Sequence, residues 1–221
     1  MKAAASWAAV LLLAGAAQAS TPPPGAARTA VTASPAEWHF EVQLDGKPVG
    51  EHRFSLSAEG SERRLRSIAS FDVKLLGITV YRYRHEARER WKGDCLAELE
   101  ARTDANGKPT TVSARLEPEG LRVSAPAGMA ALPACTMTFA YWHPALRRQA
   151  QLLNPQTGRN VAVQMVPVGT GMIDVRGSAV PAEHWRLTGD ESPIELWYTP
   201  GGEWLALDAT VNGRRLSYRL R

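Results

Sequence analysis

Trp38-His39-Phe40-Glu41-Val42-Gln43-Leu44, followed by Asp45-Gly46-Lys47-Pro48, decides the fold class. Trp38, Phe40, Val42 and Leu44 alternate with polar neighbours, the period of two that gives a strand one buried face. Asp45-Gly46 is the chemistry of a two-residue hairpin loop, so the chain is expected to double back into a second strand. Val49 is odd-numbered while Phe54 and Leu56 are even-numbered. One residue must therefore be absorbed between them, and Gly50 is assigned as the bulge.

The same turn chemistry recurs at Asn106-Gly107-Lys108-Pro109 and Asn212-Gly213-Arg214. A two-residue loop at Asn212-Gly213 sets Val211 against Arg214. It follows that Ala209 faces Leu216, Leu207 faces Tyr218 and Leu205 faces Leu220, with Asp208, Arg215, Ser217 and Arg219 on the opposite face. Val161 to Val168, Glu183 to Thr188 and Ile194 to Tyr198 are further strand segments, and Gly169-Thr170-Gly171 reads as a hairpin turn rather than a phosphate-cradling loop. One short helix is expected, Pro144 to Leu153, with Leu146, Ala150 and Leu153 at helical spacing and Asn154-Pro155 as its stop. Roughly ten to thirteen strands predict an all-β, mainly antiparallel fold: a curved sheet, half-barrel or barrel.

Working towards the N-terminus, Lys2 precedes an apolar run from Ala3 to Ala16 and then Ala17-Gln18-Ala19. A basic start, a short apolar core and an Ala-x-Ala site define residues 1–19 as an export signal peptide. The run is too short to span a bilayer, which takes roughly twenty residues, and no later stretch is apolar enough to do so. Residues 20–36, which include Pro22-Pro23-Pro24, read as a disordered linker. Residues 37–221 are expected to form a single β-rich domain. Cys95 and Cys135 both follow the signal, so export delivers them to an oxidising compartment and a disulfide between them is expected. No Cys-x-x-Cys pair supports a redox thiol.

The chain carries 26 Lys and Arg against 22 Asp and Glu, a net charge of +4 that falls to +3 without Lys2. That excess is too small to indicate a nucleic-acid partner. The run Tyr81-Arg82-Tyr83-Arg84-His85-Glu86-Ala87-Arg88-Glu89-Arg90-Trp91 could mark an anionic surface, but an antiparallel return through residues 96–104 gives a different reading. With Lys92 facing Leu96, Arg90 faces Glu98, Arg88 faces Glu100, Glu86 faces Arg102 and Arg84 faces Asp104, a solvated ion-pair ladder.

Tyr141-Trp142-His143 just before the helix is the candidate ligand-binding group, the alternative being that these residues plug one end of the barrel. His39, His52, His85, His143 and His184 stand alone in sequence and show no metal-ligand spacing; no cofactor motif and no serine-nucleophile elbow is present. Glu98 and Glu100 have arginine partners in the ladder, which disfavours a glycosidase pair.

Trp38-x-Phe40-x-Val42-x-Leu44-Asp45-Gly46-Lys47-Pro48-Val49-Gly50, Tyr141-Trp142-His143-Pro144, Leu153-Asn154-Pro155-Gln156-Thr157-Gly158 and Leu196-Trp197-Tyr198 together resemble a family of bacterial exported proteins known only as a domain of unknown function. The resemblance runs from Trp38 to Leu220. It implies one secreted or periplasmic β-rich domain, mostly in Gram-negative bacteria, and supplies no catalytic residues. The functional expectation is a non-enzymatic domain that binds or carries a lipid or other amphipathic small molecule. The alternatives are an envelope protein that engages a protein partner without a small ligand and, below that, a hydrolase centred on His143.

Overall fold

In the computed structural model, which describes residues 36–189 and 192–221, alternating side chains build one long antiparallel meander. The expected export signal, and all of the expected linker but Ala36, lie outside the described residues. The strands are β1 (Ala36–Leu44), β2 (Lys47–Glu59), β3 (Glu62–Leu75), β4 (Ile78–Lys92), β5 (Cys95–Ala105), β6 (Lys108–Glu117), β7 (Gly120–Ala125), β8 (Gly128–Leu132), β9 (Met137–Thr138), β10 (Gln151–Leu153), β11 (Asn160–Ala162), β12 (Gln164–Val175), β13 (Ser178–Thr188), β14 (Ile194–Tyr198), β15 (Trp204–Val211) and β16 (Arg214–Leu220). Thirteen of them form a single curved sheet in the order β12-β13-β14-β15-β16-β1-β2-β3-β4-β5-β6-β7-β8, with β12 and β8 as its edges. The fold is all-β and mainly antiparallel, the β9–β10 pair of the small sheet being parallel, and the large sheet does not close.

The pairing of β1 with β16 joins the two ends of the described chain at the middle of the sheet. The C-terminal hairpin adopts the expected register, Val211 against Arg214, Ala209 against Leu216 and Leu207 against Tyr218. On its outer face Asp208 binds Arg215 and Arg219. The β1–β2 bulge lies one residue from its expected position: Val42 faces Gly50 while Gln43 faces Pro48, so Val49 is the extra residue. Gly50 is needed for another reason. A Cβ there would sit 2.0 Å from the Ser70 carbonyl oxygen of β3.

Four charge pairs of the expected ladder are in register, from Arg84–Asp104 to Arg90–Glu98, but Lys92 faces Cys95 instead of Leu96. A bulge at Ala97 causes the slip and turns the consecutive Leu96 and Ala97 both inward. Of these facing pairs, among the described residues only Arg90–Glu98 closes as an ion pair; the other charges of β4 turn elsewhere, Arg84 to Asp72 and Glu86 to Arg66 on β3 and Glu86 to Arg88 on β4 itself, while Arg90 also binds Glu62 on β3. The opposite face of β4, with His85, Ala87, Glu89 and Trp91, is buried.

Two further expectations are corrected. Gly169-Thr170-Gly171 lies inside β12, beside a bulge at Val168; the turn is at Arg176-Gly177, where both residues have positive φ. The expected helix is a 3-10 helix over Pro144–Arg148 only. Gln149 is extended, and Leu152 and Leu153 belong to β10, which pairs with β9 and β11. Two adjacent leucines, each buried between strands, override the weak helical spacing.

Candidate functional site

The chain between β8 and β12 has to pass from one edge of the sheet to the other, and it does so across the concave face. Leu96 N–H on β5 donates to the Thr136 carbonyl, Thr110 on β6 donates to the Gln156 carbonyl, and Tyr198 on β14 donates to the Tyr141 carbonyl at 3.0 Å. The Cys95–Cys135 disulfide, spanning 40 residues, ties the start of β5 to the entry of this crossing segment. His143 accepts the Ala145 N–H at Nδ1 and so caps the 3-10 helix, while its Nε2 lies 2.6 Å from Arg63 Nη2 and 3.4 Å from Asp94 Oδ1. Burial and the Arg63 charge hold the imidazole below its ordinary pKa.

Between the crossing segment and the sheet lies a cavity of about 270 Å³. Tyr141 and Trp142 line it together with Phe54, Leu65, Trp204 and Leu207. His143 is not part of its wall. The three candidate residues are thus neighbours that diverge: two face the cavity and the third fastens the segment to β3. Trp204 is the centre of the aromatic wall, with ring centroids 4.3 Å from Phe40, 5.2 Å from Phe54 and 5.3 Å from Tyr141. The indole N–H of Trp142 is buried without a hydrogen-bond partner among the described residues.

A polar group inside the cavity has no counterpart in the sequence reading. His52 Nε2 is 2.7 Å from Ser67 Oγ, and its Nδ1 is 3.3 Å from the Tyr218 hydroxyl. His85 Nδ1 is 2.8 Å from Thr103 Oγ1. Burial pushes His52 down to about 3, with His85 adding to the effect, and pushes His85 down to about 4. Both imidazoles are therefore neutral at neutral pH. Burial pushes Tyr218 above its usual value, so its hydroxyl keeps its proton. Glu89 completes the lining: burial raises its carboxyl to about 7, against the opposing effect of Thr138 and of the Trp91 N–H, which donates to it at 2.9 Å.

These polar residues come from β2, β3, β4 and β16, and no motif could announce them, since His52 and Tyr218 are 166 residues apart. The available signal was strand parity: His85 and Glu89 share a face with Ala87 and Trp91. The close Ser67–His52 pair is poorly set for nucleophilic catalysis. Its imidazole meets a tyrosine where a triad places a carboxylate, and burial opposes the cation that a general base must become. The remaining histidines are each accounted for, His39 against Glu51 and His184 against Glu195. Among the described residues no cluster of three or more His, Cys, Asp or Glu is placed to hold a metal ion.

The cavity has one open end. Its lining residues Thr210, Val211, Ser192 and Gln156 are exposed, whereas Trp204, Trp142, Thr138 and Ala140 at the far end are buried. The strand registers put turns 45–46, 76–77, 106–107 and 212–213 at the open end, and turns 60–61, 93–94, 118–119 and 176–177 at the closed one.

A solved structure described as a beta-barrel-like protein of domain of unknown function DUF1849, from Brucella abortus, has a similar fold, with a TM-score of 0.63 over 85% of this chain and 95% of that one. At 10% identity the likeness concerns the fold alone. No curated protein is significantly similar to the chain. The family described as a domain of unknown function, DUF6134, matches residues 40–221, so an unclosed β-sheet wrapped around a polar-floored cavity belongs to a member of that family.

Proposed function

We propose that this chain is an exported, non-enzymatic binding domain whose cavity takes one apolar or amphipathic small molecule. The observation that carries the reading is the cavity itself, about 270 Å³ with aromatic walls and an uncharged hydrogen-bonding floor of His52, Ser67 and Tyr218. Sites for small molecules characteristically combine apolar walls with a few polar groups that fix orientation. Among the described residues the lining includes no Lys or Arg. The expected ligand therefore carries a hydroxyl, amide or other neutral head rather than a phosphate or carboxylate buried in the cavity.

The periplasm is the proposed site of action, supported by the leader pattern of residues 1–19 and the closed disulfide. Among the described residues no helix is long and apolar enough to cross a membrane.

Native mass spectrometry of gently purified protein is the test, paired with tryptophan fluorescence during titration with monoacylglycerol, since Trp142 and Trp204 line the cavity. A co-purifying small molecule and a saturable fluorescence change are expected. Repeated absence of both would sink the proposal.

A further inference from the structure

We propose that the β3–β4 hairpin tip inserts into the surface of an anionic lipid bilayer, so that the cavity's open end faces the membrane. Leu75, Leu76, Ile78, Val80 and Tyr81 are all exposed there, in one seven-residue stretch. On the β2 side the last residue of β3 to be paired is Phe71, and on the β5 side the first residue of β4 to be paired is Tyr83. The hairpin consequently runs about 13 Å past its last pairing with β2 at 3.3 Å per residue, while β2 leaves its side and continues through Pro48 and Lys47 to its own turn at Asp45-Gly46. Nothing within the described chain covers it.

The turn itself strengthens the case. Five hairpins turn on a residue followed by glycine, both with positive φ: Asp45-Gly46, Leu76-Gly77, Asn106-Gly107, Arg176-Gly177 and Asn212-Gly213. Four place a polar or charged residue first. The left-handed conformation disfavours a leucine, whereas asparagine and aspartate tolerate it. Leu76 is also 95% exposed. A residue that is unfavourable for the turn and unfavourable in water gains nothing from the fold, which points to a partner that receives it.

Shape and charge identify the partner as a bilayer. The tip is a convex knob of aliphatic side chains with Tyr81 at its base, suited to entering an acyl and headgroup boundary rather than receiving a segment. Lys47, Lys74 and Lys108 stand beside turns of the same end. At the closed end the 60–61 and 118–119 turns are bracketed by Glu59 and Glu62 and by Glu117 and Glu119, while Lys92 and Asp94 bracket Gly93 and Arg176 stands at the 176–177 turn; at the open end Asp45 is neutralised by Arg214. Apolar insertion with flanking lysines fits anionic headgroups. The open end of the cavity is the tip's own end, which orients the molecule at the surface. Tip insertion stands whether or not the cavity holds a ligand.

Co-sedimentation with vesicles of phosphatidylethanolamine and phosphatidylglycerol tests it, comparing the purified protein with a Leu75→Ser, Leu76→Asn, Ile78→Ser variant that carries the same N-terminal segment. The variant is expected to bind about tenfold more weakly, each lost apolar side chain removing part of the insertion energy. A second readout does not depend on affinity. Leu76→Cys is the sole thiol beside the closed disulfide, and a polarity-sensitive dye attached there should shift to the blue when vesicles are added. Equal sedimentation of both proteins, no sedimentation of either, or a dye that does not shift would each overturn the proposal. A concentration-dependent dimer that the tip substitutions abolish, with no vesicle binding, would assign the tip to a second copy of the chain and overturn it as well.

Discussion

Glu89 shows how burial changes the chemistry of one side chain. Its carboxyl is raised from 4.5 to about 7, so the folded protein holds the proton more tightly than the unfolded chain does. The stabilisation linked to that proton is complete below pH 4.5 and is lost as pH rises through about 7, amounting to about 3 kcal/mol. His52 and His85 run the other way: their depressed values, about 3 and about 4 against an ordinary 6.5, give stability that is present above pH 6.5 and lost as pH falls. The histidines would mask Glu89 in a simple pH profile, but a mutant difference isolates it. Glu89→Gln is expected to match the parent near pH 4.5 and to exceed its stability by up to about 3 kcal/mol at pH 8. Urea unfolding at both pH values measures this, and a difference that does not change with pH would show that Glu89 ionises normally.

At the scale of elements, two positions of positive φ, Gly50 inside β2 and Leu76 in the β3–β4 turn, behave oppositely. Gly50→Ala drives a Cβ into the Ser70 carbonyl and is expected to cost about 2–4 kcal/mol, read by thermal or urea unfolding. Leu76→Asn replaces a leucine at φ 51 with a residue that accepts the left-handed region, and should leave stability unchanged or raise it by about 1 kcal/mol. A marked loss would mean that the tip packs against something in the fold after all. Hairpins were the legible elements, because a two-residue loop sets the register and alternation then confirms it from both sides, as with Val211 against Arg214 and Ala209 against Leu216. Bulges were legible only by parity: the odd-to-even change between Val49 and Phe54 required one, but whether Val49 or Gly50 was extra depended on the approach of Ser70, a contact between strands. Leu152 and Leu153 were misread for the same reason, since a short apolar pair takes its conformation from the strands that flank it. The Leu75 to Tyr81 tip is not announced by the sequence, because apolar residues around a glycine have the composition of a buried hairpin and only exposure sets it apart.

For the molecule as a whole, an open sheet of thirteen strands leaves β8 and β12 without a further neighbour, and the crossing segment is what joins the two wings over the concave face. The disulfide should matter more to that segment than to the sheet. Closing a loop of 40 residues is worth about 4 kcal/mol in the chain-entropy treatment. Cys135 also lies immediately before Thr136, Met137 and Thr138, which are buried, and just ahead of the cavity wall at Thr138 to Trp142. Replacing both cysteines, Cys95→Ser with Cys135→Ser, is therefore expected to leave the strand content unchanged, because the ladder from β1 to β8 and back from β16 to β12 does not run through the bond. Stability should fall by up to about 4 kcal/mol, and amide exchange should quicken first between residues 136 and 153 while β1, β2, β15 and β16 keep their protection. Circular dichroism, urea unfolding and hydrogen exchange resolve the three parts. Uniform loss of protection across the sheet would show that the bond holds the whole fold, and an unchanged midpoint would show that the Arg63–His143 contact and the buried leucines already hold the segment in place without it.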